Sequence, residues 1–395
     1  MIRATQPDSC IAPPSGLGSA DRRHCMAIGL LMSLCPAAWS QTTVRTSERA
    51  AIRLPGDHGA HVQSAIEWWY LTGYLHSNTI PNAAATAVPR YGFQLTFFRA
   101  RVPDTQNMRS AFAAKQLLFA HAALSDLTGQ RLMHDQRIAR LSGDPGVDLG
   151  MFSVQDTDLQ LADWSLKRQA NGYHAEFGSK RFTLKLHAQA TQPILLQGDQ
   201  GWSRKSRQAQ HASHYYSWPQ LEVEASLTLG SDRQVLSGRA WLDHEWSNAL
   251  LAPDAVGWDW IGMNLHDGAA LTAFRLRDRA GQAIWAGGSW RSPAGELTIF
   301  DASDVVFEQV RWWKSPHSEA RYPVQWSLRL FRPEVPASQR VLQVSALMDD
   351  QELDSRRSTT TIYWEGLCRL SDDKARTLGY GYLEMTGYAA PLRLP

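Results

Sequence analysis

Acidic and imidazole side chains stand among tryptophans at several places in this sequence. Residues 57–70 contain DHGAH followed by EWWY, residues 241–246 read WLDHEW, and residues 257–260 read GWDW. A weaker cluster combines residues 363–366 (YWEG) with residues 380–384 (YGYLE). A carboxylic acid against an aromatic wall has a raised pKa and can stay protonated near neutral pH, as a general acid must. Because a tryptophan face also stabilises a nearby carbocation, these residue types together suit the protonation of an alkene.

These clusters supply candidate residues for each role. The candidate catalytic residues are His244, Trp246, Asp243, Asp259 and Glu67, and the candidate ligand-binding residues are Trp68, Tyr70, Trp258 and Trp260. An acid drawn from Asp243, Asp259 or Glu67 would protonate the alkene, the tryptophans would surround the cation, and His244 would orient or deprotonate water. For any single cluster the alternative is a structural role, because tryptophans on strands are most often core residues.

Other kinds of chemistry have less support. His58 and His61 lie on a glycine-containing loop and fall short of a complete ligand set, so no metal is predicted. The acidic run at residues 349–354 lacks the alternating oxygen ligands of a calcium loop and reads as a solvated hairpin. The sequence has no Gly-x-Ser-x-Gly elbow, His-Glu-x-x-His helix or phosphate-binding loop, and a net charge of +2 argues against nucleic acid.

The elements that would position these residues are predicted to be β-strands. Short aromatic or alternating runs bounded by Gly, Pro, Asp and Asn favour strands over helices. The predicted strands cover residues 67–75, 91–98, 116–124, 182–187, 221–229, 235–242, 258–265, 270–276, 324–330, 341–347, 360–367 and 379–385. The best short helix candidate is Ser110 to Lys115, and a long loop is expected over residues 197–214. Strands at this spacing indicate antiparallel barrels or sandwiches.

The length of 395 residues suits two domains better than one. We place the boundary in the polar segment at residues 247–255, because it divides the predicted strands into two barrel-sized sets. The expected domains are residues 55–250 and residues 251–395, preceded by an N-terminal tail at residues 41–54.

Residues 1–40 read as a secretory signal peptide. Arg22 and Arg23 form a basic stub, a short apolar run follows, and Ala38-Trp39-Ser40 offers small residues at the cleavage positions. The apolar run is too short to span a bilayer, so no stable membrane anchor is predicted. Cleavage after Ser40 would also remove every cysteine except Cys368, which excludes an internal disulfide. The mature protein is therefore expected to be secreted or periplasmic.

Several of these motifs together resemble a known family. DHGAH leading into EWWYLTG, residues 94–99 (QLTFFR), 119–124 (FAHAAL) and 241–246 (WLDHEW) resemble the carotenoid 1,2-hydratase (hydroxyneurosporene synthase) family. They are most similar to its secreted lipocalin-like branch, often described as predicted secreted hydrolases. The similarity covers about residues 55–390. It implies an all-β protein with two lipocalin-like antiparallel β-barrel domains in tandem, and a hydrophobic ligand of the isoprenoid or carotenoid type.

The resemblance leaves catalysis open. The family's hydratases add water to a terminal isoprenoid double bond without a redox cofactor, and no cofactor is predicted here. Their His-x-Trp pair is matched by His244 and Trp246, but their Tyr-x-Asp pair falls on Phe274 and Leu276. The proton donor must then come from elsewhere, or the activity is absent. A hydro-lyase is favoured over a hydrolase, and the alternative is a non-catalytic periplasmic carrier or chaperone of a lipophilic molecule.

Barrel closure predicts where the clusters meet. In an up-and-down barrel the first and last strands are antiparallel neighbours, so Glu67 should lie close to Trp246. The second barrel would begin just beyond this point. We therefore expect His244, Trp246, Trp258 and Asp259 to line one apolar cavity at the junction between the domains, where pockets are common.

Overall fold

The computed structural model describes residues 49–77 and 88–392, and the described chain is all β. The predicted signal peptide lies outside these residues. Every strand pair is antiparallel, and the strands form two sheets. Three short 3₁₀ turns, at Gly56–His58, Pro103–Thr105 and Ala337–Gln339, complete the regular structure of the described residues. No helix among them is long and apolar enough to cross a membrane.

The first sheet contains thirteen strands. They are β1 (Ile66–Ser77), β2 (Tyr91–Arg101), β3 (Gln116–Asp126), β4 (Arg131–Leu141), β5 (Gly150–Phe152), β6 (Asp158–Leu161), β7 (Trp164–Gln169), β8 (Gly172–Gly178), β9 (Phe182–Gln189), β10 (Leu195–Leu196), β11 (Trp202–Arg204), β12 (Ala212–Leu229) and β13 (Asp232–Ser247). The order across the sheet is β4-β3-β2-β1-β13-β12-β9-β8-β7-β6-β5, and β10 and β11 both pair with β12.

The second sheet contains ten strands. They are β14 (Gly257–Leu265), β15 (Ala270–Arg277), β16 (Ala283–Arg291), β17 (Leu297–Phe300), β18 (Val305–Lys314), β19 (Arg321–Leu330), β20 (Val341–Ala346), β21 (Glu352–Asp354), β22 (Ile362–Asp372) and β23 (Thr377–Met385). The order is β17-β16-β15-β14-β23-β22-β20-β19-β18, and β21 pairs with β22. The connection between the two sheets runs from Ser247 to Gly257 and contains the predicted domain boundary.

In each sheet the first strand pairs with the last, as the closure argument predicts. Strand β1 lies beside β13 with Glu67 opposite Trp246, and β14 lies beside β23 with Asp259 opposite Met385. The alternation of side chains along β1 and β13 therefore decides which groups enter the first barrel and which face outward.

Apolar side chains on the two faces of these strands belong to different clusters. Trp69 and Leu71 of β1 are fully buried in the core of the first barrel. Tyr70 and Tyr74, on the opposite face, pack in an aromatic cluster that also contains Trp260 from the second barrel. Since both faces of these strands are covered, their sequences are continuous apolar runs. The aromatic cluster also packs the outer face of one barrel against that of the other.

The helix predicted over Ser110 to Lys115 is wrong. The amide of Ala113 donates to the carbonyl of Ser110 at 3.0 Å, which closes a turn, and no helix follows. A segment this short does not recover the cost of helix nucleation without an apolar face to pack. The long loop predicted at residues 197–214 is interrupted by β11, and β12 already begins at Ala212.

Candidate functional site

An apolar cavity lies where the outer faces of the two barrels meet. Its walls come from alternate residues of β1, β2, β12 and β13 in the first barrel and of β14, β15, β22 and β23 in the second, together with residues of two connecting segments. The lining includes Trp68, Tyr70, Thr96, Phe98, Lys205, Tyr215, Asp243, Glu245, Leu250, Leu251, Trp258, Trp260, Phe274, Leu276, Tyr363, Glu365 and Glu384. The cavity volume is about 80 Å³. Trp68, Trp258 and Leu251 are only partly buried, which places them toward the opening.

Two glutamates of the second barrel face this cavity from adjacent strands. Glu365 of β22 and Glu384 of β23 are directly opposed in the register, which places their Cβ atoms about 4.5–5.5 Å apart. Burial, and then the charge of Glu384, raise the pKa of Glu365 well above its usual value. Burial also raises the pKa of Glu384 to about 7, although a hydrogen bond from Trp258 opposes the shift. Because two adjacent carboxylates repel in an apolar wall, the pair retains a proton at neutral pH.

Glu384 lies between two tryptophans of the neighbouring strand. Trp260 lies opposite Glu384 across the β14–β23 pair, and Trp258 is two residues away on the same face of β14. The buried Oε1 atom of Glu365 has no well-formed hydrogen bond among the described residues, although the Tyr70 hydroxyl lies close enough to the carboxyl group to oppose the rise in its pKa. A buried polar atom without a partner costs free energy, so this atom is suited to bind a water molecule or a ligand group.

The first barrel contributes a third acid and an ion pair. Asp243 Oδ1 accepts hydrogen bonds from Ser217 Oγ at 2.5 Å and Trp241 Nε1 at 2.7 Å. Burial nevertheless raises the pKa of Asp243 to about 7. Two residues along the same face, Glu245 Oε1 lies 2.6 Å from Lys205 Nζ. The cavity thus combines aromatic walls with acids that hold protons and one fixed ion pair.

His244, Trp246 and Glu67 do not line this cavity, which corrects the expectation from the sequence. They lie on the other face of β1 and β13, inside the first barrel, because the side chains of successive residues point to opposite faces. Glu67 Oε1 lies 2.8 Å from His61 Nδ1 and 2.9 Å from His244 Nε2. Its Oε2 accepts from the buried Arg99 guanidinium at 2.8 Å.

This environment favours the ionised form of Glu67 and so disfavours it as a proton donor near neutral pH. Burial alone would raise its pKa, but hydrogen bonds from His244 and His61 and the charges of His244 and Arg99 outweigh burial and lower the pKa to about 2. The pKa of His244 is lowered, first by burial and against the pull of Glu67. Because His244 faces the interior of the first barrel, it does not reach the junction cavity, where the sequence had predicted it to activate water.

Trp246 lies between two histidine rings in the same interior cluster. Its ring stacks on that of His61 at 3.7 Å between centroids and on that of His214 at 5.2 Å. The His58 ring reaches the cluster through the Tyr216 hydroxyl, 2.8 Å from His58 Nδ1 and 3.1 Å from His244 Nδ1. The His-x-Trp pair thus organises a network of histidines rather than the junction cavity.

Asp259 is also absent from the cavity, contrary to expectation. It faces the interior of the second barrel, where its Oδ2 lies 2.7 Å from Arg275 Nε and 2.9 Å from Arg277 Nε. Its Oδ1 accepts from the Tyr388 hydroxyl at 2.9 Å. Asp259 and Arg275 are opposed on the first two strands of the second barrel, as Glu67 and Arg99 are in the first. Both barrels therefore carry a carboxylate–guanidinium pair at the same topological position.

Of the nine candidates, the structure brings five into the cavity, which are Asp243, Trp68, Tyr70, Trp258 and Trp260. Sequence reasoning did not select Glu365 and Glu384, although both stand in the aromatic cluster at residues 363–384. It also did not select Lys205 or Glu245. Glu245 and Glu365 each follow or precede a tryptophan in sequence, whereas Lys205 and Glu384 have no aromatic neighbour, and the convergence of all four depends on how one barrel packs against the other.

Comparison with known proteins confirms the recognition made from the motifs at the level of the family. A family model described as AttH-like matches residues 45–388. A Nitrosomonas europaea protein described as a candidate AttH is 39% identical, with a TM-score of 0.76 over 87% of this chain and 99% of that one. This similarity confirms the predicted fold of two lipocalin-like barrels.

More distant structures share the fold. Kievitone hydratase from Nectria haematococca is 14% identical, with a TM-score of 0.61 over 86% of this chain and 94% of that one. The protein CghA is 11% identical, with a TM-score of 0.50 over 88% of this chain and 95% of that one. A search of curated proteins found no significant match.

Proposed function

The chain belongs to the AttH-like family, and from that premise we propose that it binds a hydrophobic ligand of the isoprenoid type in the junction cavity and hydrates a carbon–carbon double bond there. The observation that carries this proposal is the Glu365–Glu384 pair, a proton-holding pair of acids set against two tryptophans in an apolar wall. Kievitone hydratase shares the fold, and its name supports a hydration reaction on this scaffold.

The reaction follows from the positions of these groups. Glu384 transfers its proton to one carbon of the double bond, and a carbocation forms at the other. The faces of Trp258 and Trp260 stabilise this cation. A water molecule adds to the cation and loses one proton, which returns to the Glu365–Glu384 pair. The product is an alcohol, the acid is regenerated, and no group is oxidised or reduced.

The Lys205–Glu245 ion pair has a positioning role in this scheme. It lies on the first barrel, across the cavity from the two glutamates, and both of its charges act on the pKa of Glu384. An ammonium and a carboxylate offer a donor and an acceptor, which together hold a water molecule in one orientation. Asp243 adds a further acid to the same wall.

The cavity also limits how the ligand binds. An apolar cavity of about 150 Å³ holds benzene, so about 80 Å³ admits a group of a few carbon atoms. The reacting end of an isoprenoid chain fits this description, while the rest of the chain must extend through the opening beside Trp68 and Leu251. We further propose that the protein acts after export, since the predicted signal peptide would direct it to the periplasm.

Hydration can be tested with geranylgeraniol, a probe with trisubstituted double bonds, in ¹⁸O-labelled water. We expect the wild-type protein to form a labelled alcohol, detected by mass spectrometry. Glu384→Gln should bind the probe, measured by quenching of tryptophan fluorescence, and should form no product because an amide cannot supply the proton. The matched control, Glu224→Gln, changes an exposed glutamate on β12 and should behave as wild type.

The other outcomes contradict the proposal in different ways. Binding without hydration by the wild-type protein would indicate the carrier or chaperone function instead. Equal hydration by wild type and Glu384→Gln would refute the assigned acid. Absence of binding would refute the ligand class, and mass spectrometry of lipids extracted from the purified protein would then identify a better probe.

A further inference from the structure

We propose that His61, Glu67 and His244 bind a divalent transition-metal ion such as Zn²⁺ inside the first barrel. One ligand atom from each residue lies within 4.8 Å of the others. Two imidazoles and one carboxylate form a ligand set that suits zinc, and the three together leave a coordination position open. This site lies on the opposite face of β1 and β13 from the junction cavity, and it does not depend on the proposed hydration.

The distances between the three candidate ligand atoms are close to those in a metal site. Glu67 Oε1 lies 2.8 Å from His61 Nδ1 and 2.9 Å from His244 Nε2. Ligand atoms about 2.0–2.2 Å from a tetrahedral zinc ion lie roughly 3.3–3.6 Å from one another. An outward shift of several tenths of an ångström in each ring would therefore admit the ion.

The hydrogen-bond partners of His61 favour a cation at its Nδ1 atom. Its two ring nitrogens both face carboxylates, Glu67 Oε1 at 2.8 Å and Asp57 Oδ1 at 3.3 Å. An ionised carboxylate only accepts hydrogen bonds, and a neutral imidazole has only one N–H group. One nitrogen lone pair must then face an oxygen lone pair unless a second proton or a metal ion lies between them. A metal ion at Nδ1 resolves this conflict and leaves Nε2–H to donate to Asp57.

The second nitrogen of each histidine is held as in known zinc sites. Asp57 accepts from His61, and the Tyr216 hydroxyl lies 3.1 Å from His244 Nδ1. Such partners fix the tautomer and orientation of metal-binding histidines. Trp246 adds rigidity by stacking on the His61 ring. Because His61 and Asp57 keep 22% and 27% of their side-chain surface exposed, an ion can reach the cluster from solvent.

The expectation from the sequence was that no metal would bind, because His58 and His61 alone were too few. The fold changes this conclusion by bringing Glu67 and His244 to His61. His58 is not a ligand in the proposed site, since its Nδ1 atom bonds to Tyr216. The ligand set is therefore assembled by the pairing of the first and last strands of the barrel.

Zinc binding can be tested on the purified chain without any organic ligand. After removal of metal with a chelator, we expect calorimetric titration with Zn²⁺ to show one site per chain. His61→Ala should weaken binding by at least about 100-fold, and Asp57→Asn by about 10–100-fold, as found for outer partners of zinc ligands. Co²⁺ substitution should give absorption bands that are lost in His61→Ala.

His317→Ala is the matched control, because His317 is an exposed histidine that pairs with Asp350 away from this cluster. It should bind Zn²⁺ as the wild-type protein does. Failure of the wild-type chain to take up one Zn²⁺, or unchanged affinity in His61→Ala, would overturn the proposal. Circular dichroism monitors folding, and if His61→Ala does not fold, unchanged affinity in Asp57→Asn would overturn it equally. The hydration assay with geranylgeraniol has no part in this test.

Discussion

Glu384→Gln should stabilise the folded protein, and the gain in free energy of unfolding should increase with pH. Glu384 titrates near pH 7 in the folded protein, against an ordinary value of 4.5. The folded state therefore binds more protons than the unfolded state between these two values. Stability contributed by the protonated acid is fully present below pH 4.5 and is lost as the pH rises through about 7.

The size of the effect follows from this difference. Each unit of pKa corresponds to about 1.4 kcal/mol, so the shift of Glu384 from 4.5 to about 7 gives an upper limit of about 3.5 kcal/mol. Because Glu384 keeps part of its surface accessible, solvent reduces this value, and we expect about 2 kcal/mol. Glutamine resembles the protonated acid in shape and does not ionise. The free energy of unfolding of the variant should thus equal that of the wild type near pH 4.5 and be larger than it above pH 7.

The assay is urea unfolding followed by tryptophan fluorescence, repeated from pH 4.5 to pH 8 for both proteins. The quantity compared is the difference in free energy of unfolding at each pH. Glu224→Gln, which changes an exposed side chain of β12, should show a difference that does not vary over this range. A constant difference for Glu384→Gln, or one that shrinks as the pH rises, would refute the reasoning that burial holds a proton on this acid.

Three further outcomes are expected. Arg99→Met should lower the free energy of unfolding, measured by urea denaturation, by about 3–5 kcal/mol, because Glu67 would remain buried without its cation. A loss below about 1 kcal/mol would contradict this reasoning. A reductant should leave the melting temperature of the exported protein unchanged, since Cys368 is buried and would be its single cysteine. N-terminal sequencing of that protein should begin just after Ser40, and an intact leader would refute the predicted export.

The central strands of both barrels could be predicted from the sequence because their residues leave a strong periodic signal. Strands β1, β2 and β3 carry long aromatic or aliphatic runs and are buried on both faces. Strand β4 was missed because it lies at the edge of the sheet in the strand order and mixes apolar residues with Arg, His, Asp and Gln in no regular alternation. Although β4 is eleven residues long, such a mixture leaves no period of two for a sequence pattern to indicate.

The candidate site was only partly predictable for a related reason. Alternation correctly assigns His244 and Trp246 to one face of β13 and Asp243 and Glu245 to the other. It does not tell which face turns into the barrel and which meets the second barrel. The cavity acids Glu365 and Glu384 are separated by nineteen positions in sequence, and their opposition depends on the register of β22 and β23.

The shared wall formed by β1 and β13 restricts how this protein can evolve. Substitutions at Trp68, Tyr70 or Asp243 alter the junction cavity without touching the histidine cluster on the reverse face. Insertion or deletion of one residue between Trp241 and Trp246 would instead exchange both sets of side chains at once. Point substitutions on one face can therefore change the cavity lining, whereas a change in the length of this segment would alter both faces.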